Sequence, residues 1–478
     1  MSTSAGILHT RGREKSRSVF LAPCVALFCA ATLLCAATVL SAAETAGWRT
    51  DGSGKYPAAT PPVEWSPTKN VIWATAMPSK SNASPVLLGG NLFVCAEPAT
   101  LLCVNAADGK ILWEKTNTLE EASKPEDVEK IKEATALSTE LEKAHHEMQR
   151  ANNQLQKDPA NADAKKRADD AKAKVADLTP KFEPLKAYAL PPAHNFNGYA
   201  SSTPLTDGKN VFVVFGSGVV ASYDLKGTRN WIRKLENPRD NWGQSTSPVL
   251  AGDKLLIHLT NLIALNAATG EPVWTAKVQS QWGTPSIVKI GDTESVLTPA
   301  GDLVRVADGK VLASKFAFLK FASPLVQDNI AYFIDEDSGK AVKLPDKVVN
   351  DAVTTEALWS IKPIKERYYA SPILNDGLLY AITQKGDLSV FEAKTGALVC
   401  EKKLDLGKGT YYPSITLAGK YVYISVDSGT TVVLEPGKEY KELFRNTLEP
   451  FCASPVFDGK RMYIRGQAKL YCIGDAGQ

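Results

Sequence analysis

Short apolar runs of four to eight residues, separated by Gly, Asp and Asn, recur through most of the chain. From the second set of runs onward, the proline that precedes each set recurs every 37 to 48 residues. Four strands in a repeat of about 40 residues are typical of a propeller blade. The pattern predicts an all-β, eight-bladed β-propeller of four-stranded blades. Its markers are Ser84-Pro85, Thr203-Pro204, Ser247-Pro248, Thr284-Pro285, Ser323-Pro324, Ser371-Pro372, Tyr412-Pro413 and Ser454-Pro455.

The fourth strand of several repeats carries a second mark, a Gly followed four residues later by a Trp. It occurs as Gly109/Trp113, Gly227/Trp231 and Gly270/Trp274. The Gly provides the positive φ of a hairpin turn, and the Trp buries a large apolar area between neighbouring sheets. We therefore interpret these tryptophans as core residues rather than ligand contacts.

The last repeat supplies three apolar runs but no fourth one before Gln478. Near the other end of the chain, residues 71–77 read as a fourth strand with its Trp and have no blade of their own. We predict that this N-terminal strand completes blade eight and closes the ring, which protects the sheet edges.

Residues 119–186 depart from the repeat. Their apolar positions are spaced alternately three and four residues apart, as in the contact seams of two helices. The segment predicts an antiparallel coiled-coil hairpin whose first helix has about 30 residues. Ser123 with Glu126 suggests a capping box, and Asp158-Pro159 suggests the start of the second helix. The hairpin is interpreted either as a solvated spacer or as a partner-binding arm. Its seam positions are Ala134, Leu137, Leu141, Ala144, Met148, Ala151 and Leu155, then Ala164, Ala168, Ala171, Val175 and Leu178.

The N-terminus has the organisation of a secretory signal. A basic stretch, residues 11–17, precedes an apolar run from Val19 to Leu40, and Ser41-Ala42-Ala43 supplies the small residues of a cleavage site. We expect cleavage after Ala43 and export to the periplasm or outside the cell. The alternative is an uncleaved anchor, in which case only this segment contacts the membrane. The expected division is 1–43 signal peptide, 44–118 closing strand and blade 1, 119–186 hairpin, and 187–478 blades 2 to 8.

Composition excludes some functions. The chain is 44% apolar and 22% charged, an ordinary globular balance, and its net charge is +3. Residues 1–43 alone contribute that +3, so the rest of the chain is neutral and has no electrostatic footprint for nucleic acid.

Five cysteines follow the predicted signal, without a Cys-x-x-Cys motif. They are small buried residues, or Cys95 and Cys103 form a pair across a hairpin; the others are Cys400, Cys452 and Cys472.

No sequence motif for catalysis or metal binding is present. The five His lack metal-ligand spacing, and neither a P-loop nor a nucleophile elbow occurs. The acidic run Asp335-Glu336-Asp337 lacks the downstream Glu of a calcium loop and indicates a hairpin turn. We expect neither a catalytic site nor a metal site.

The segment Asn266-Ala267-Ala268-Thr269-Gly270-Glu271-Pro272-Val273-Trp274 resembles the repeat of pyrroloquinoline-quinone-type (PQQ-like) propellers. Residues 105–113 and 392–396 are weaker copies. The resemblance implies either a quinoprotein dehydrogenase or a non-catalytic scaffold of the BamB-like branch. Dehydrogenases of this family use calcium with the quinone and often a vicinal Cys pair. This chain has no Cys-Cys step, so the resemblance implies the non-catalytic branch without a cofactor.

The residues just before each first strand are candidates for a binding site, because they approach the mouth of the central funnel. Aromatic and amide side chains there suit a ligand or peptide, or they pack between adjacent blades. Together with the resemblance, these residues predict a scaffold that binds other envelope proteins or peptides. The alternatives are a quinone-dependent dehydrogenase and a binder of a small ligand or glycan. The candidates are Tyr199, Trp242, Gln244, Trp282, Tyr368, Tyr369, Tyr411 and Tyr412, with Asn82, Gln281, Phe321 and Phe451 at similar positions.

Overall fold

The computed structural model describes residues 46–475, so the predicted signal peptide lies outside the described residues. Residues 46–475 contain eight antiparallel sheets of four strands, one for each predicted repeat, and the seventh sheet has an additional fifth strand. The predicted eight-bladed propeller is confirmed. Each blade runs from an inner first strand to an outer fourth strand in sequence order, except the eighth.

Two strands precede the first complete blade, β1 Lys55–Tyr56 and β2 Val71–Ala76. Blade 1 contains β3 Val86–Leu88, β4 Asn91–Ala96, β5 Thr100–Asn105 and β6 Ile111–Thr116. Blade 2 contains β7 Leu205–Thr206, β8 Asn210–Val214, β9 Val219–Asp224 and β10 Arg229–Lys234. Blade 3 contains β11 Val249–Ala251, β12 Lys254–His258, β13 Leu262–Asn266 and β14 Pro272–Ala276, and blade 4 contains β15 Ser286–Ile290, β16 Thr293–Leu297, β17 Leu303–Arg305 and β18 Val311–Ala313. Blade 5 contains β19 Leu325–Gln327, β20 Ile330–Ile334, β21 Gly339–Lys343 and β22 Glu356–Ile361. Blade 6 contains β23 Ile373–Asn375, β24 Leu378–Ile382, β25 Asp387–Glu392 and β26 Leu398–Lys403, and blade 7 contains β27 Thr416–Ala418, β28 Tyr421–Ser425, β29 Thr430–Leu434 and β30 Glu442–Thr447. Blade 8 contains β31 Val456–Asp458, β32 Arg461–Arg465 and β33 Lys469–Ile473, together with β2.

Strand β2 closes the ring as the sequence predicts. It pairs antiparallel with β33, and Ala74 lies opposite Tyr471. The N-terminal part of the chain thus supplies the outer strand of the last blade, and no separate N-terminal domain forms within the described residues.

The Gly and Trp marks join one blade to the next. Trp73 Nε1 donates a hydrogen bond to the Ala106 carbonyl of the next blade at 3.2 Å. Gly109 has φ +75°, and a Cβ there would lie 2.7 Å from the Trp73 ring, so only Gly fits both the turn and the contact. The tryptophans pack between blades, as predicted; Trp231 is buried, and the half-buried Trp113 and Trp274 pack against the core. The same donation to the following blade is made by Trp113, Trp231, Trp274 and Trp359.

Residues 46–56, which we name the central plug, cross the channel between the blades. Ala46 exchanges backbone hydrogen bonds with Thr206 of blade 2. The buried Arg49 donates to the carbonyls of Pro372 at 2.9 Å and Ile415 at 2.8 Å, and β1 pairs in parallel with β27 of blade 7. Because blades 2 and 6 lie on opposite sides of an eight-membered ring, the central plug spans the channel.

The insertion forms the predicted antiparallel helices, α2 Val128–Lys157 and α3 Ala162–Phe182, preceded by the short α1 Leu119–Ala122; two 3₁₀ turns, Pro125–Asp127 and Glu183–Tyr188, flank the long helices. We name α1, α2 and α3 together the helical arm. Its small seam residues are buried, which lets the helices approach closely. Two predicted caps are wrong. The capping box is Thr118 with Glu121, which starts α1, and the N-cap of α3 is Asn161 rather than Asp158.

The base of the helical arm packs on blade 2. Leu119 and Ile131 are buried against Val219, and Arg229 Nη2 lies 3.0 Å from Glu121 Oε2. Beyond this base, the helices contact mainly each other. Within residues 46–475, no helix has both the length and the apolar character needed to cross a membrane.

The five cysteines after the predicted signal are all free. The register of β4 and β5 places Cys95 opposite Leu101 and Cys103 opposite Phe93, so these two thiols do not face each other. Both are fully buried and act as small apolar side chains.

Candidate functional site

A closed ring of eight Ser and Thr residues surrounds the channel, one just before each first strand. The backbone N–H of each ring residue donates to the hydroxyl oxygen of the ring residue in the next blade, at 2.8 to 3.1 Å. We name these residues the hydroxyl ring. In blade 7 the member is Ser414, so the Tyr412-Pro413 step is not the equivalent of the other Ser/Thr-Pro steps. The ring consists of Ser84, Thr203, Ser247, Thr284, Ser323, Ser371, Ser414 and Ser454.

The hydroxyl ring presents hydrogen-bond donors to a cavity. Each hydroxyl has one donor and two acceptor positions, and one acceptor position is used by the neighbouring backbone. Among the hydrogen bonds within residues 46–475, none has a ring hydroxyl as its donor. Seven of the eight ring residues line a cavity of about 400 Å³, which Trp48 of the central plug also lines. A ligand in this cavity therefore meets O–H groups that are free to donate.

A second tier of lining residues lies two positions before each ring residue. The residues at this position line the cavity in all eight blades. Aromatic residues occupy this tier in blades 4 to 7, whereas small or polar residues occupy it in blades 8 and 1 to 3. The tier consists of Trp282, Phe321, Tyr369 and Tyr412, then Cys452, Asn82, Ser201 and Ser245.

Four of the eight predicted site residues line the cavity. Trp282, Tyr369 and Tyr412 belong to the second tier, and Trp242 lies at the rim with 54% of its surface exposed. The ring of Trp242 stacks on His194 with a centroid distance of 3.9 Å.

The other four predicted residues do not line the cavity. Gln244, Tyr368 and Tyr411 are three positions before a ring residue; they are buried and absent from the cavity lining. Tyr411 donates to the Leu404 carbonyl at 3.1 Å, and Gln244 donates to the His258 carbonyl at 2.8 Å. Tyr199 donates to the Pro191 carbonyl at 2.8 Å and packs within its own loop.

The aromatic residues form a continuous arc of four rings, Phe321, Tyr369, Tyr412 and Phe196. The centroid distances along it are 4.6, 4.7 and 4.7 Å. Such distances are those of favourable aromatic pairs. Burial raises the pKa of Tyr412 to about 12, so its phenol is neutral at physiological pH. The aromatic arc is an apolar wall with hydroxyl groups at its edge.

Two cations stand beside the aromatic arc. Lys320 Nζ lies 5.3 Å from the Phe321 centroid, and Arg367 Nη1 donates to the Tyr369 hydroxyl at 3.2 Å. That hydrogen bond raises the pKa of Arg367. Neither cation forms an ion pair with a carboxylate in the described part of the chain. One carboxylate, Asp240, lines the cavity, and it accepts the Trp242 N–H at 2.9 Å.

Other carboxylates near the funnel are engaged with the backbone. Glu97 accepts the N–H of Tyr199 at 2.9 Å and of Ala200 at 2.7 Å, and Asp427 accepts the N–H of Thr410 at 2.9 Å. Burial raises the pKa of both acids, and these hydrogen bonds oppose the rise. These acids hold the loops that enter the first strands.

The cavity does not fit the calcium ion and the quinone that dehydrogenases of the PQQ-like family use. Calcium takes six to eight oxygen ligands, commonly several carboxylates, whereas the cavity wall provides Asp240 alone. Within residues 46–475, no group of three or more His, Cys, Asp or Glu is placed to hold a metal ion.

Sequence reasoning missed several lining residues. Trp48 and Phe196 come from segments outside the repeat, and Lys320 and Arg367 are charged, whereas the predicted residues are aromatic or amide side chains. The sequence does contain a pattern that identifies the second tier. Counting two residues back from each ring Ser or Thr selects Phe321, Tyr369 and Tyr412 and rejects their neighbours.

The fold and the cavity define a PQQ-like β-propeller with a central funnel. The model of the family described as "Outer membrane protein assembly factor BamB" matches residues 63–139 and 194–399. These segments make up more than half of the chain, so the chain belongs to this family. The match is interrupted between residues 139 and 194, where most of the helical arm lies.

Solved structures with low sequence identity share the fold. BamB from Moraxella catarrhalis is 10% identical with a TM-score of 0.53, and the match covers 84% of this chain and 99% of that chain. A europium-containing methanol dehydrogenase is 11% identical with a TM-score of 0.54, over 84% of this chain and 93% of that chain. A quinohemoprotein alcohol dehydrogenase from Comamonas testosteroni is 11% identical with a TM-score of 0.51, over 92% and 82%. At these identities the likeness concerns the fold alone. No curated protein matches the sequence significantly.

Proposed function

We propose that this protein is a non-catalytic scaffold of the cell envelope that binds other proteins with the face carrying the funnel and the helical arm. The observation that carries the proposal is the exposed aromatic rim of the funnel. Trp242 and Phe196 are large apolar residues with 54% and 39% of their surface exposed. Aromatic residues are enriched in protein interfaces and dominate their binding energy.

The helical arm begins and ends on this same face. It joins the fourth strand of blade 1 to the first strand of blade 2, and alternating strand directions place that connection on the side of the first-strand entries. The return from α3 leads through residues 183–188 to His194 and Phe196 at the funnel. A partner at the funnel mouth therefore has the helical arm beside it.

Membership of a family described as an outer-membrane assembly factor supports an envelope location and a binding role. The predicted signal in residues 1–43 supports export. The chemistry of the cavity also supports binding rather than quinone chemistry, because its single carboxylate is engaged in a turn.

Affinity purification from the envelope of the source organism tests the proposal. Full-length tagged protein should recover a specific partner, and the double variant Trp242→Ala with Phe196→Ala should recover at least tenfold less of it. The matched control is Val349→Ala with Leu398→Ala, two comparably exposed apolar residues away from the funnel. Equal recovery by all three proteins would reject the funnel face as the interface.

A further inference from the structure

The cavity has a charge pattern that the proposed function leaves unexplained. Its lining contains two cations, Lys320 and Arg367, and one carboxylate, Asp240. Asp240 already accepts a backbone N–H. The two cations lie against the faces and hydroxyl of the aromatic arc instead of against a carboxylate. Glu336 interacts electrostatically with Arg367 but forms no ion pair with it, so the two exposed cations remain available to an anionic ligand.

The floor of the cavity reinforces the same preference. Each ring hydroxyl accepts one backbone N–H through its oxygen, so its O–H donor and one acceptor position are left for a ligand. A carboxylate is acceptor-only and takes several such donors. Donors at the floor and cations on one wall thus suit the same chemical group.

The aromatic arc determines what lies next to that group. Phe321, Tyr369 and Tyr412 form a wall of contacting rings directly beside the two cations. Such a wall suits an aromatic or other apolar side chain. A ligand that carries an apolar group adjacent to a carboxylate satisfies the wall and the cations together.

The central plug restricts how a ligand enters. Trp48 lines the cavity, and residues 46–56 cross the channel and bond to blades 2, 6 and 7. A polypeptide cannot thread through a channel closed in this way. A loop or a chain end, entering and leaving by the mouth, fits this geometry.

We infer that the funnel binds a partner segment in which an acidic residue is adjacent to an aromatic residue. Lys320, Arg367 and the hydroxyl ring bind the carboxylate, and the aromatic arc packs on the neighbouring ring. This inference rests on the proposed function and adds the chemistry of the partner. The same chemistry could be presented by a free small carboxylate, which the experiment separates from a peptide.

Fluorescence anisotropy with short synthetic peptides tests the carboxylate. The probe is fluorescein-labelled Gly-Phe-Asp-Phe-Gly with an amidated C-terminus, and the comparison peptide has Asn in place of Asp. The Asp peptide should bind full-length protein at least tenfold more tightly, and raising the salt concentration should reduce the difference. Equal affinity of the two peptides would overturn the inference.

Charge and aromatic variants locate the binding. Lys320→Gln with Arg367→Gln should remove the preference for Asp over Asn. The control, Lys209→Gln with Lys420→Gln, makes the same charge change at exposed turns on the opposite face and should keep the preference. Tyr412→Ala should weaken binding at least fivefold, whereas Phe444→Ala on an outer strand should not. Retained preference in Lys320→Gln with Arg367→Gln would place the site elsewhere.

Phenylacetate distinguishes a free carboxylate from a peptide. Failure of a hundredfold excess of phenylacetate to displace the probe supports a peptide segment. Displacement at concentrations equal to the peptide's dissociation constant would overturn the peptide assignment. If envelope purification depends on Trp242 and Phe196 but no peptide binds the funnel, the inference fails while the proposed function stands.

Discussion

The backbone N–H of Ser454 donates to the hydroxyl oxygen of Ser84 at 2.9 Å, across 370 residues of sequence. This hydrogen bond joins blade 8 to blade 1 and completes the hydroxyl ring. It lies beside the cavity, so the same side chains that close the propeller also form the floor of the candidate site. Stability and binding are therefore coupled at these positions.

Removing one ring hydroxyl should destabilise the propeller. Ser84→Ala leaves the buried Ser454 N–H without its acceptor, and an unsatisfied buried donor costs about 1–3 kcal/mol. Chemical denaturation should show a loss of unfolding free energy in this range. Ser360→Ala, at an exposed position on an outer strand, should change it by less than about 0.5 kcal/mol. Equal stability of the two variants would show that the ring is not a closure device.

The helical arm should separate into a structural base and a dispensable outer part. Replacing residues 143–171 with a short Gly/Ser turn removes only helix that contacts helix, so the propeller should keep its melting temperature within a few degrees. In contrast, Leu119→Ala and Ile131→Ala each remove a buried contact with blade 2 and should cost about 2–5 kcal/mol. Thermal unfolding of the three variants, compared with wild type, measures these stability losses. A large loss on shortening would mean that the outer arm packs on the propeller.

His258 should make the protein sensitive to mild acid. Its imidazole is fully buried with Nε2 3.2 Å from the Val278 carbonyl, and burial lowers its pKa to about 4. The unfolded chain binds a proton near pH 6.5 and the folded chain does not, so stability is complete above pH 6.5 and falls as the pH approaches 4. At about 1.4 kcal/mol per pKa unit, the loss is about 3 kcal/mol.

The variant His258→Gln isolates this effect, because its amide can still donate to Val278. Its unfolding free energy should decline about 3 kcal/mol less than wild type between pH 6.5 and pH 4. His145→Gln, an exposed substitution on the helical arm, should follow wild type. Parallel pH profiles for His258→Gln and wild type would show that His258 is protonated in the folded state.

Calcium and pyrroloquinoline quinone should show no saturable binding to the purified protein. The physical reason is that the cavity offers a single carboxylate, which is engaged in a turn. Isothermal titration and dye-reduction assays with alcohols and sugars measure this. Stoichiometric quinone binding, or dye reduction that depends on an alcohol or sugar, would favour a dehydrogenase instead.

The repeat pattern made much of the fold predictable. Ser/Thr-Pro steps mark the first strands, and the Gly and Trp pairs mark contacts between blades, since both patterns repeat where the geometry repeats. The helical arm was predictable from its three- and four-residue spacing. The capping residues were not, because Thr118 and Ser123 both stand three residues before a Glu.

The candidate site was only half predictable. Adjacent aromatics such as Tyr368 and Tyr369 have equal propensities, and only the folded chain shows that one is buried and the other lines the cavity. The central plug was missed because residues 46–56 have no apolar periodicity. Its buried Arg49 is held by backbone carbonyls, a role that composition does not reveal.

Site-specific photo-crosslinking in cells of the source organism tests the central claim most directly. A photoreactive amino acid is placed at position 242 on the funnel rim or at position 209 on the opposite face. If the funnel face binds the partner, position 242 should give a discrete adduct with one envelope protein, and replacing Phe196 by Ala should abolish that adduct. Position 209 should give no adduct with that protein. An adduct from position 209 alone, or equal adducts from both positions, would contradict the funnel face as the binding surface.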